Sequence, residues 1–255
     1  MLTYEVQNRV ASIILNRPDK RNALNAEMVE QLTKAFKKAA ADKAAKVIKL
    51  SANGEVFSAG ADLESIRHLQ HASFEENRED SRKLADLFQF IDRCPKPVIS
   101  AVHGHAIAGG CGLQALTDIS VASESAKLGY TEVRIGFVPA IVSKFLVNKV
   151  GETQARRLLL GGKLVSAKEA ARIGLVTEAV ADEDFEATVD HWVETLVERC
   201  SGEALRQTKE LIRTIRDLDS KESIDYAVLL NAEARGTEDC QKGITAFLNK
   251  EKIRW

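Results

Sequence analysis

A mixed α/β fold with a helical C-terminal region is predicted for this chain by three observations. Short runs rich in β-branched and other apolar residues recur as far as Val180, with stretches of helical periodicity between them. After Asp182 the strand signals stop, and only helical periodicity continues to Lys250. The 255 residues are 45% hydrophobic, which suffices for one sizeable core. We therefore expect an α/β core over residues 1–183 and a helical region over residues 184–255.

The predicted strands are short and follow one another along the core. They cover Ala11 to Leu15, Val47 to Leu50, Val98 to Val102, Ile119 to Ala122 and Leu175 to Val180. Asn25 is a candidate N-cap for a helix over Ala26 to Ala41. Ser166, with Glu169 three residues later, matches a capping box for a helix that ends near Ile173. Strands that alternate with helices in this way are typical of α/β proteins.

The helical region divides where residues that start or end helices occur together. These points are Ser201-Gly202, Asp219-Ser220 and Gly236-Thr237. No Pro-, Gly- or Ser-rich linker separates this region from the core. We expect several helices that follow the core directly.

Charge and cysteine content exclude several classes of protein. The formal net charge is -1, with acidic and basic residues interspersed, which disfavours binding to nucleic acid or to an anionic membrane. The four cysteines form no CxxC pair and have no histidine at metal-binding spacing, so we expect free thiols and no metal. The first apolar run, Val10 to Leu15, is too short for a signal sequence or a membrane span. These features are typical of a cytoplasmic bacterial protein.

Two glycine-containing segments are candidates for binding a negatively charged oxygen. Phe57 to Asp62 and His105 to Gly112 both place small residues where another molecule can approach the backbone N-H groups. The second segment leads into an apolar helical stretch, Leu113 to Leu116. Two amides from separate loops can form an oxyanion hole, and with Glu132 they indicate chemistry at a thioester carbonyl that becomes an enolate.

Other catalytic and cofactor motifs are missing from the sequence. No GxGxxG follows a predicted strand and no Walker A motif occurs, which argues against the use of nicotinamide cofactors or ATP. No GxSxG sequence is present, which argues against a serine hydrolase of the α/β-hydrolase type.

Several ordered segments together resemble the enoyl-CoA hydratase/isomerase (crotonase) family over essentially the whole chain. The segments are Asn16 to Leu24, Ser58 to Leu63, Lys96 to Gly104, Ala108 to Cys111 and Gly243 to Lys250. The resemblance implies a spiral of ββα units and C-terminal helices that assemble a homotrimer or, from two stacked trimers, a homohexamer. It also implies an acyl-CoA thioester as substrate. Coenzyme A is then part of the substrate, and no separate cofactor is expected.

The resemblance assigns the oxyanion-hole amides to Ala61 and Gly109 and the proton transfer to Glu132. Loss of one fixed donor typically costs about 3 to 4 kcal/mol of transition-state stabilisation. A carboxyl group suits proton transfer at carbon when burial raises its pKa. We expect an apolar wall to do so, formed by Leu128, Val133, Ile135 and Phe137. The alternative for Glu132 is an exposed loop residue paired with Arg134.

The resemblance also implies a set of substrate-binding residues. Arg17 and Lys20 are expected near the nucleotide end of coenzyme A, the loop from Ala59 to Asp62 near adenine, and Phe247 and Lys250 to reach in from a neighbouring subunit. Ordinary solvated charge is the alternative for Lys20, Arg21 and Lys250. The full set is Arg17, Lys20, Ala59, Gly60, Asp62, Gly110, Gly112, Phe247 and Lys250.

The sequence departs from the family pattern at Gly112, where hydratases usually have a second glutamate. Either the site has lost one of two water-holding carboxylates, or the glycine makes room for a large or charged acyl group. We expect the second, because Ala140 to Phe145 is bulkier and more apolar than the glycine-rich turn of many members. Glu64, Asp62 and His105 are candidates to replace the carboxylate, but each has a plausible local structural role.

Two catalytic functions and one non-catalytic function remain open at this point. Hydration of a 2-enoyl-CoA is preferred, since Tyr130 to Phe137 resembles a bacterial branch classed with methylglutaconyl-CoA-type hydratases. A single glutamate is also the arrangement of members that isomerise a 3-enoyl to a 2-enoyl thioester. From a different class, a non-catalytic acyl-CoA-binding protein would also lack a carboxylate at Gly112. Retention of Glu132 and of both small-residue loops argues against that last alternative.

Overall fold

Ten β-strands and ten α-helices make up the computed structural model, which describes residues 1–255. The strands are β1 (Leu2–Gln7), β2 (Val10–Leu15), β3 (Val47–Ala52), β4 (Val56–Ser58), β5 (Val98–Val102), β6 (His105–Ile107), β7 (Ile119–Ser123), β8 (Lys127–Gly129), β9 (Leu164–Ser166) and β10 (Glu178–Val180). The helices are α1 (Ala26–Ala41), α2 (Leu63–Leu69), α3 (Phe74–Asp92), α4 (Gly109–Ala115), α5 (Ala140–Gly161), α6 (Ala167–Arg172), α7 (Phe185–Glu194), α8 (Gly202–Ile215), α9 (Ser220–Arg235) and α10 (Glu238–Leu248).

The strands form two sheets, and from β3 to β8 successive strands alternate between them. The first sheet has the order β1-β2-β3-β5-β7-β10, in which only β1 is antiparallel to its neighbour. The second has the order β4-β6-β8-β9, in which only β9 is antiparallel. The pairs β3-β4, β5-β6 and β7-β8 each give one strand to each sheet before a helix or helical turn follows. This repeat brings the ends of β4, β6 and β8 side by side.

The first sheet is buried on both faces because alternate side chains enter different apolar clusters. Ile48 and Leu50 belong to the main core, which also contains residues of α1 and α3. Val47 points to the other face and packs with Leu196 and Val197, in the π-helical turn that follows α7. Continuous apolar runs are expected for parallel strands covered on both faces.

Helix α7 therefore belongs with the sheet, although it lies beyond residue 183. Phe185 and Val189 of α7 are buried with Ala101 and Val121 of the sheet. The division expected at residues 183 and 184 runs through this packed layer. Helices α8 and α9, in contrast, contain no fully buried side chain.

Most predicted elements of the first sheet and of the helical region are confirmed. Helix α1 has the predicted bounds, and the Asn25 side chain accepts from the Met28 amide. The last predicted strand is shorter, since only Glu178–Val180 pair. Ser166 caps α6, but no reciprocal capping box forms, because the Glu169 carboxylate binds arginines instead. The second sheet, with three-residue strands, and β1 were not predicted.

Candidate active site

Three loops meet at one edge of the second sheet. Ala61 follows β4, Gly109 follows β6 and Glu132 follows β8, and β6 lies between the other two strands. The three strands are parallel, so their carboxyl ends lie at the same edge. Loops at the carboxyl ends of parallel strands are the usual place for ligands in α/β proteins.

The loop after β4 leaves the amide of Ala61 without a backbone partner. A single parallel bridge joins Leu24 to Ala61. In this bridge the Leu24 N-H donates to the Gly60 carbonyl at 2.7 Å, and the Asp62 N-H donates to the Leu24 carbonyl at 3.0 Å. The amides on either side of Ala61 are both bonded, that of Gly60 to Ser58 Oγ at 3.3 Å and that of Asp62 to Leu24, whereas the N-H of Ala61 itself is an unused donor.

The loop after β6 presents the first amide of α4. Helix α4 begins at Gly109, and the first amides of a helix have no partner within it. The preceding residue, Ala108, has φ 52° and ψ -124°, an unfavourable conformation for alanine that costs on the order of 1–3 kcal/mol. It is held there by its N-H, which donates to the Gly129 carbonyl at 2.8 Å.

The two loops are packed directly against each other at Gly60. This glycine has φ 87°, and a Cβ built on it would lie 2.8 Å from both the Ala108 Cβ and the Ile107 carbonyl oxygen. The same Cβ would lie 3.2 Å from the Gly109 nitrogen. Gly110 has an equally close neighbour, since its added Cβ would lie 2.5 Å from the Ser58 carbonyl oxygen. Only glycine at positions 60 and 110 permits this approach, which brings Ala61 and Gly109 into the same region.

Glu132 is a half-buried carboxylic acid with an unmet hydrogen-bonding requirement. It begins a 3-10 helix, Glu132–Ile135, and its Oε2 atom is buried without a hydrogen-bond partner. Burial raises its pKa above the ordinary value of 4.5, and backbone hydrogen bonds from its own amide and from Thr131 oppose this only in part. Glu132 forms no salt bridge, so the alternative of pairing with Arg134 is not observed.

The surroundings of Glu132 differ from the predicted apolar wall. Leu128 is fully buried, but Val133, Ile135 and Phe137 are 38%, 70% and 55% exposed, so the prediction of a buried apolar wall is wrong for these three. Polar groups lie nearby instead. Burial, together with the Glu132 charge, raises the pKa of Tyr130 and raises that of Cys111 to about 11.

Two of the residues expected at coenzyme A bind each other. Asp62 is only 4% exposed and caps α2, accepting from the amides of Glu64 and Ser65. Its carboxylate also pairs with the Arg17 guanidinium, which is itself mostly buried. Burial raises the pKa of Asp62, but the hydrogen bonds from Arg17 and the two amides outweigh it and lower the pKa below 3.8. In this chain the pair therefore fixes the loop that carries Ala61.

Three of the other expected ligand residues, Lys20, Phe247 and Lys250, lie at the surface. Lys20 pairs with Glu64 at 3.2 Å, and both side chains are exposed. Phe247 is 81% exposed on α10, which packs against α8 and α9, and Lys250 is an exposed residue just beyond that helix. Ala59 lies in the first loop and donates its N-H to the Arg21 carbonyl at 2.9 Å.

The space beyond Gly112 is filled by the protein's own side chains. A Cβ built on Gly112 would lie 2.7 Å from Val142 Cγ1 and 2.9 Å from Phe88 Cε2. Phe88 is fully buried and packs edge-on against Phe145, with ring centroids 6.0 Å apart. The expectation that Gly112 leaves room for a large acyl group is therefore wrong, because α3 and α5 occupy that room.

The candidate substitutes for the second carboxylate have local partners. Glu64 pairs with Lys20, and Asp62 pairs with Arg17. His105 accepts at Nδ1 from the Lys127 amide at 3.2 Å, which ties β6 to β8. Each of the three is therefore engaged by a partner other than Glu132.

Sequence reasoning missed four residues around the site. They are Phe88, Gln114, Tyr130 and Val142. Gln114 gave a signal, since it is a polar residue within the apolar stretch from Leu113 to Leu116.

No group of His, Cys, Asp and Glu side chains is placed to hold a metal ion. No helix is both long and apolar enough to cross a membrane.

The alternation of strands between two sheets, with the site at the edge of the second, defines an α/β enzyme of the crotonase fold. The chain belongs to the enoyl-CoA hydratase/isomerase family, whose sequence model matches residues 5–255. A Thermus thermophilus relative is 40% identical over 253 residues, covering 98% of each chain. The 2,3-dehydroadipyl-CoA hydratase of Escherichia coli is 32% identical, with 96% of this chain and 94% of that protein covered. The crystal structure of an enoyl-CoA hydratase from Shewanella pealeana has a TM-score of 0.94 at 29% identity, covering 100% of this chain and 95% of that one.

Proposed function

We propose that this enzyme hydrates a 2-enoyl-CoA thioester, using Ala61 and Gly109 as an oxyanion hole and Glu132 as the acid and base. The observation that carries the proposal is the meeting of two unpaired amides and one carboxylic acid of raised pKa at the same sheet edge. Donors fixed by packed glycines stabilise developing charge without reorganisation.

Each step of the addition has a group to perform it. The ionised Glu132 carboxylate takes a proton from water as the water oxygen bonds to the β carbon, and the electron pair of the double bond moves to the thioester oxygen. The Ala61 and Gly109 amides stabilise that enolate oxygen. Glu132 then gives the proton to the α carbon, the thioester re-forms, and the carboxylate is restored. One water is added, and no other reactant is consumed.

The acyl group is not fixed by these features. An acidic or branched acyl chain of the methylglutaconyl type remains our preferred substrate class, on the resemblance of the Tyr130 to Phe137 segment. Lys20 is proposed to bind the nucleotide end of coenzyme A, because its exposed ammonium pairs with Glu64, in the first turn of the helix that follows the loop fixed by Arg17 and Asp62.

Isomerisation of a 3-enoyl to a 2-enoyl thioester is the second candidate. The specific observation in its favour is the apolar packing beyond Gly112, which leaves Glu132 as the one carboxylate at the site. Shuttling a proton between two carbons requires one carboxylate and no bound water.

Absorbance of the conjugated thioester separates the alternatives. Purified protein is incubated in turn with crotonyl-CoA, a 3-enoyl-CoA and methylglutaconyl-CoA. Hydration lowers the absorbance with the 2-enoyl substrates, whereas isomerisation raises it with the 3-enoyl substrate. Binding without turnover of any of the three would support a non-catalytic acyl-CoA-binding protein and overturn the proposal.

We also propose that the chain self-associates as a homotrimer or homohexamer through its helical region. The large apolar side chains exposed on α8 to α10 are Ile212, Ile224, Val228, Leu229, Ile244, Phe247 and Leu248. An apolar surface of this extent is expected to be covered by another copy. Sedimentation should give the mass of three or six chains at micromolar concentration, and a monomer would contradict the proposal.

We further propose a cytoplasmic location for the protein, because its four cysteines are free thiols.

A further inference from the structure

Buried side-chain atoms without a hydrogen-bond partner are concentrated beside Glu132. The chain has four such nitrogen or oxygen atoms, and three of them are Gln114 Oε1, Tyr130 Oη and Glu132 Oε2. Gln114 and Tyr130 are both fully buried. Native proteins leave few buried polar groups unpaired, and those that remain require a functional or structural reason.

Cys111 links these groups in space. The Gln114 amide nitrogen lies 3.8 Å from the Cys111 sulfur. Burial raises the pKa of that thiol to about 11. Tyr130 follows Gly129, whose carbonyl accepts from the Ala108 N-H directly before α4, the helix that carries Cys111 and Gln114. The Glu132 charge acts on both Cys111 and Tyr130. The residues that carry the three unpaired oxygens therefore lie on α4 and on the loop after β8, two segments joined by the bond from the Ala108 N-H to the Gly129 carbonyl.

The donors and acceptors of this cluster match those of one water molecule. The Gln114 amide oxygen and an ionised Glu132 carboxylate can only accept, and the Tyr130 hydroxyl can donate. A water can donate to both acceptors while it accepts from the hydroxyl. Buried waters typically make about three hydrogen bonds to groups that otherwise lack partners.

The side chains beside Gly112, the residue after Cys111, offer no such partners. Beyond Gly112 lie the side chains of Phe88 and Val142, which are apolar. Among the buried groups without a partner in this cluster, the Tyr130 hydroxyl is the one that can donate.

We propose that Tyr130, through one buried water shared with Gln114, is the positioning residue for the Glu132 carboxylate. The inference rests on the proposed function, because it concerns how that carboxylate is held for proton transfer. The water here is not consumed; it links the hydroxyl to Oε2 and leaves the other oxygen for the reaction. Hydrogen bonds of this kind favour the ionised form of a carboxyl group.

The test is Tyr130→Phe, with Tyr4→Phe as a matched control. Tyr4 is the fourth residue with a buried, unpaired side-chain oxygen, but it lies in β1, in the first sheet. We expect Tyr130→Phe to lower kcat by roughly tenfold or more and to leave KM nearly unchanged. The acid limb of the pH profile should move to higher pH, because the ionised Glu132 loses its support. Tyr4→Phe should change neither quantity.

A direct titration makes the result independent of turnover. The carboxyl carbon of Glu132 is followed by NMR in protein labelled with 13C-glutamate and is assigned by its loss in Glu132→Gln. In Tyr130→Phe its pKa should rise above the wild-type value, and in Tyr4→Phe it should not. An unchanged titration and an unchanged kcat in Tyr130→Phe would overturn the inference, even with an active wild type. If the wild type hydrates none of the substrates, the proposed function fails and the titration still decides the role of Tyr130.

Few titratable groups lie near the Glu132 carboxyl group. Cys111 approaches from α4 and Tyr130 from the end of β8, and no lysine or arginine pairs with Glu132.

A second comparison uses a double variant. Tyr130→Phe combined with Glu132→Gln should be no slower than Glu132→Gln alone. An additive loss in that double variant would assign Tyr130 a role that does not pass through Glu132.

Discussion

The amide side and the carboxyl side of this site are built in opposite ways. Around Ala61 and Gly109 the backbone is packed so closely that Gly60 and Gly110 have no room for a side chain. Around Glu132 the buried oxygens lack partners, and the following loop exposes Ile135 and Val138. Packing fixes the donors that stabilise charge, whereas burial raises the pKa of the carboxyl group and so favours proton transfer by it.

The largest expected effect comes from removal of the carboxyl group. Glu132→Gln keeps the size of the side chain and abolishes proton transfer, so kcat should fall on the order of a hundredfold to ten-thousandfold, with coenzyme A affinity little changed. Steady-state kinetics and a binding titration with coenzyme A measure the two quantities. Near-normal turnover would remove Glu132 from the mechanism.

The same residue predicts a pH dependence of both activity and stability. Its folded-state pKa lies above 4.5, so kcat/KM should rise with pH through that higher value as the base ionises. The neutral form is favoured in the folded state. Its contribution to stability is complete below the unfolded pKa and is lost as pH rises through the folded pKa. Urea unfolding of wild type and Glu132→Gln should therefore diverge with rising pH, to the disadvantage of the wild type.

The contact between the two loops is tested by Gly60→Ala. The new methyl group would meet the Ile107 carbonyl and the Ala108 methyl group at 2.8 Å, so the loops must separate. We expect kcat to fall by roughly a hundredfold, as for loss of one oxyanion donor. Gly151→Ala is the control, because Gly151 also has a positive φ (74°) but nothing within 4 Å. Equal losses of activity in both variants would show that backbone strain, rather than the loop contact, is responsible.

A smaller effect on activity and a clear one on stability are expected at Gly112. Gly112→Ala should destabilise the fold by about 1–3 kcal/mol, because its methyl group overlaps Val142 and Phe88. Gly161→Ala, in the last turn of α5 with nothing within 4 Å, should be neutral or slightly stabilising. Gly112→Glu should not increase crotonyl-CoA hydration. An increase would show that α3 and α5 move apart readily, contrary to the close packing of Phe88 and Val142 against Gly112.

The smallest effect is expected where the first loop is anchored. Asp62→Ala removes the cap of α2 and the partner of Arg17, with an expected cost of about 0.5–2 kcal/mol at neutral pH. Because the pKa of Asp62 is lowered in the folded state, its contribution is present above 3.8 and is lost as pH falls through the folded value. Wild type and variant should therefore approach equal stability below pH 3.8 in urea unfolding.

Local sequence determined much of the fold. Asn25 and the apolar spacing of α1 specify that helix, and Asp219 and Thr237 cap α9 and α10 at the predicted breaks. Helix caps and apolar periodicity involve residues only a few positions apart, so both can be recognised in the sequence. The two glycine loops and Glu132 are equally visible, because their chemistry depends on residue type.

Only the tertiary structure decided which of these groups meet. Strands of three residues, such as β6, have no periodicity to read, and they form because neighbouring strands supply their hydrogen bonds. The space at Gly112 likewise could not be read from the sequence, because Phe88 and Val142, which fill it, come from two helices distant in the sequence. The sequence alone determined which chemical groups are present at the edge of the second sheet and which residues cap the helices of the chain. Long-range packing determined their spacing, their burial and hence the pKa of Glu132.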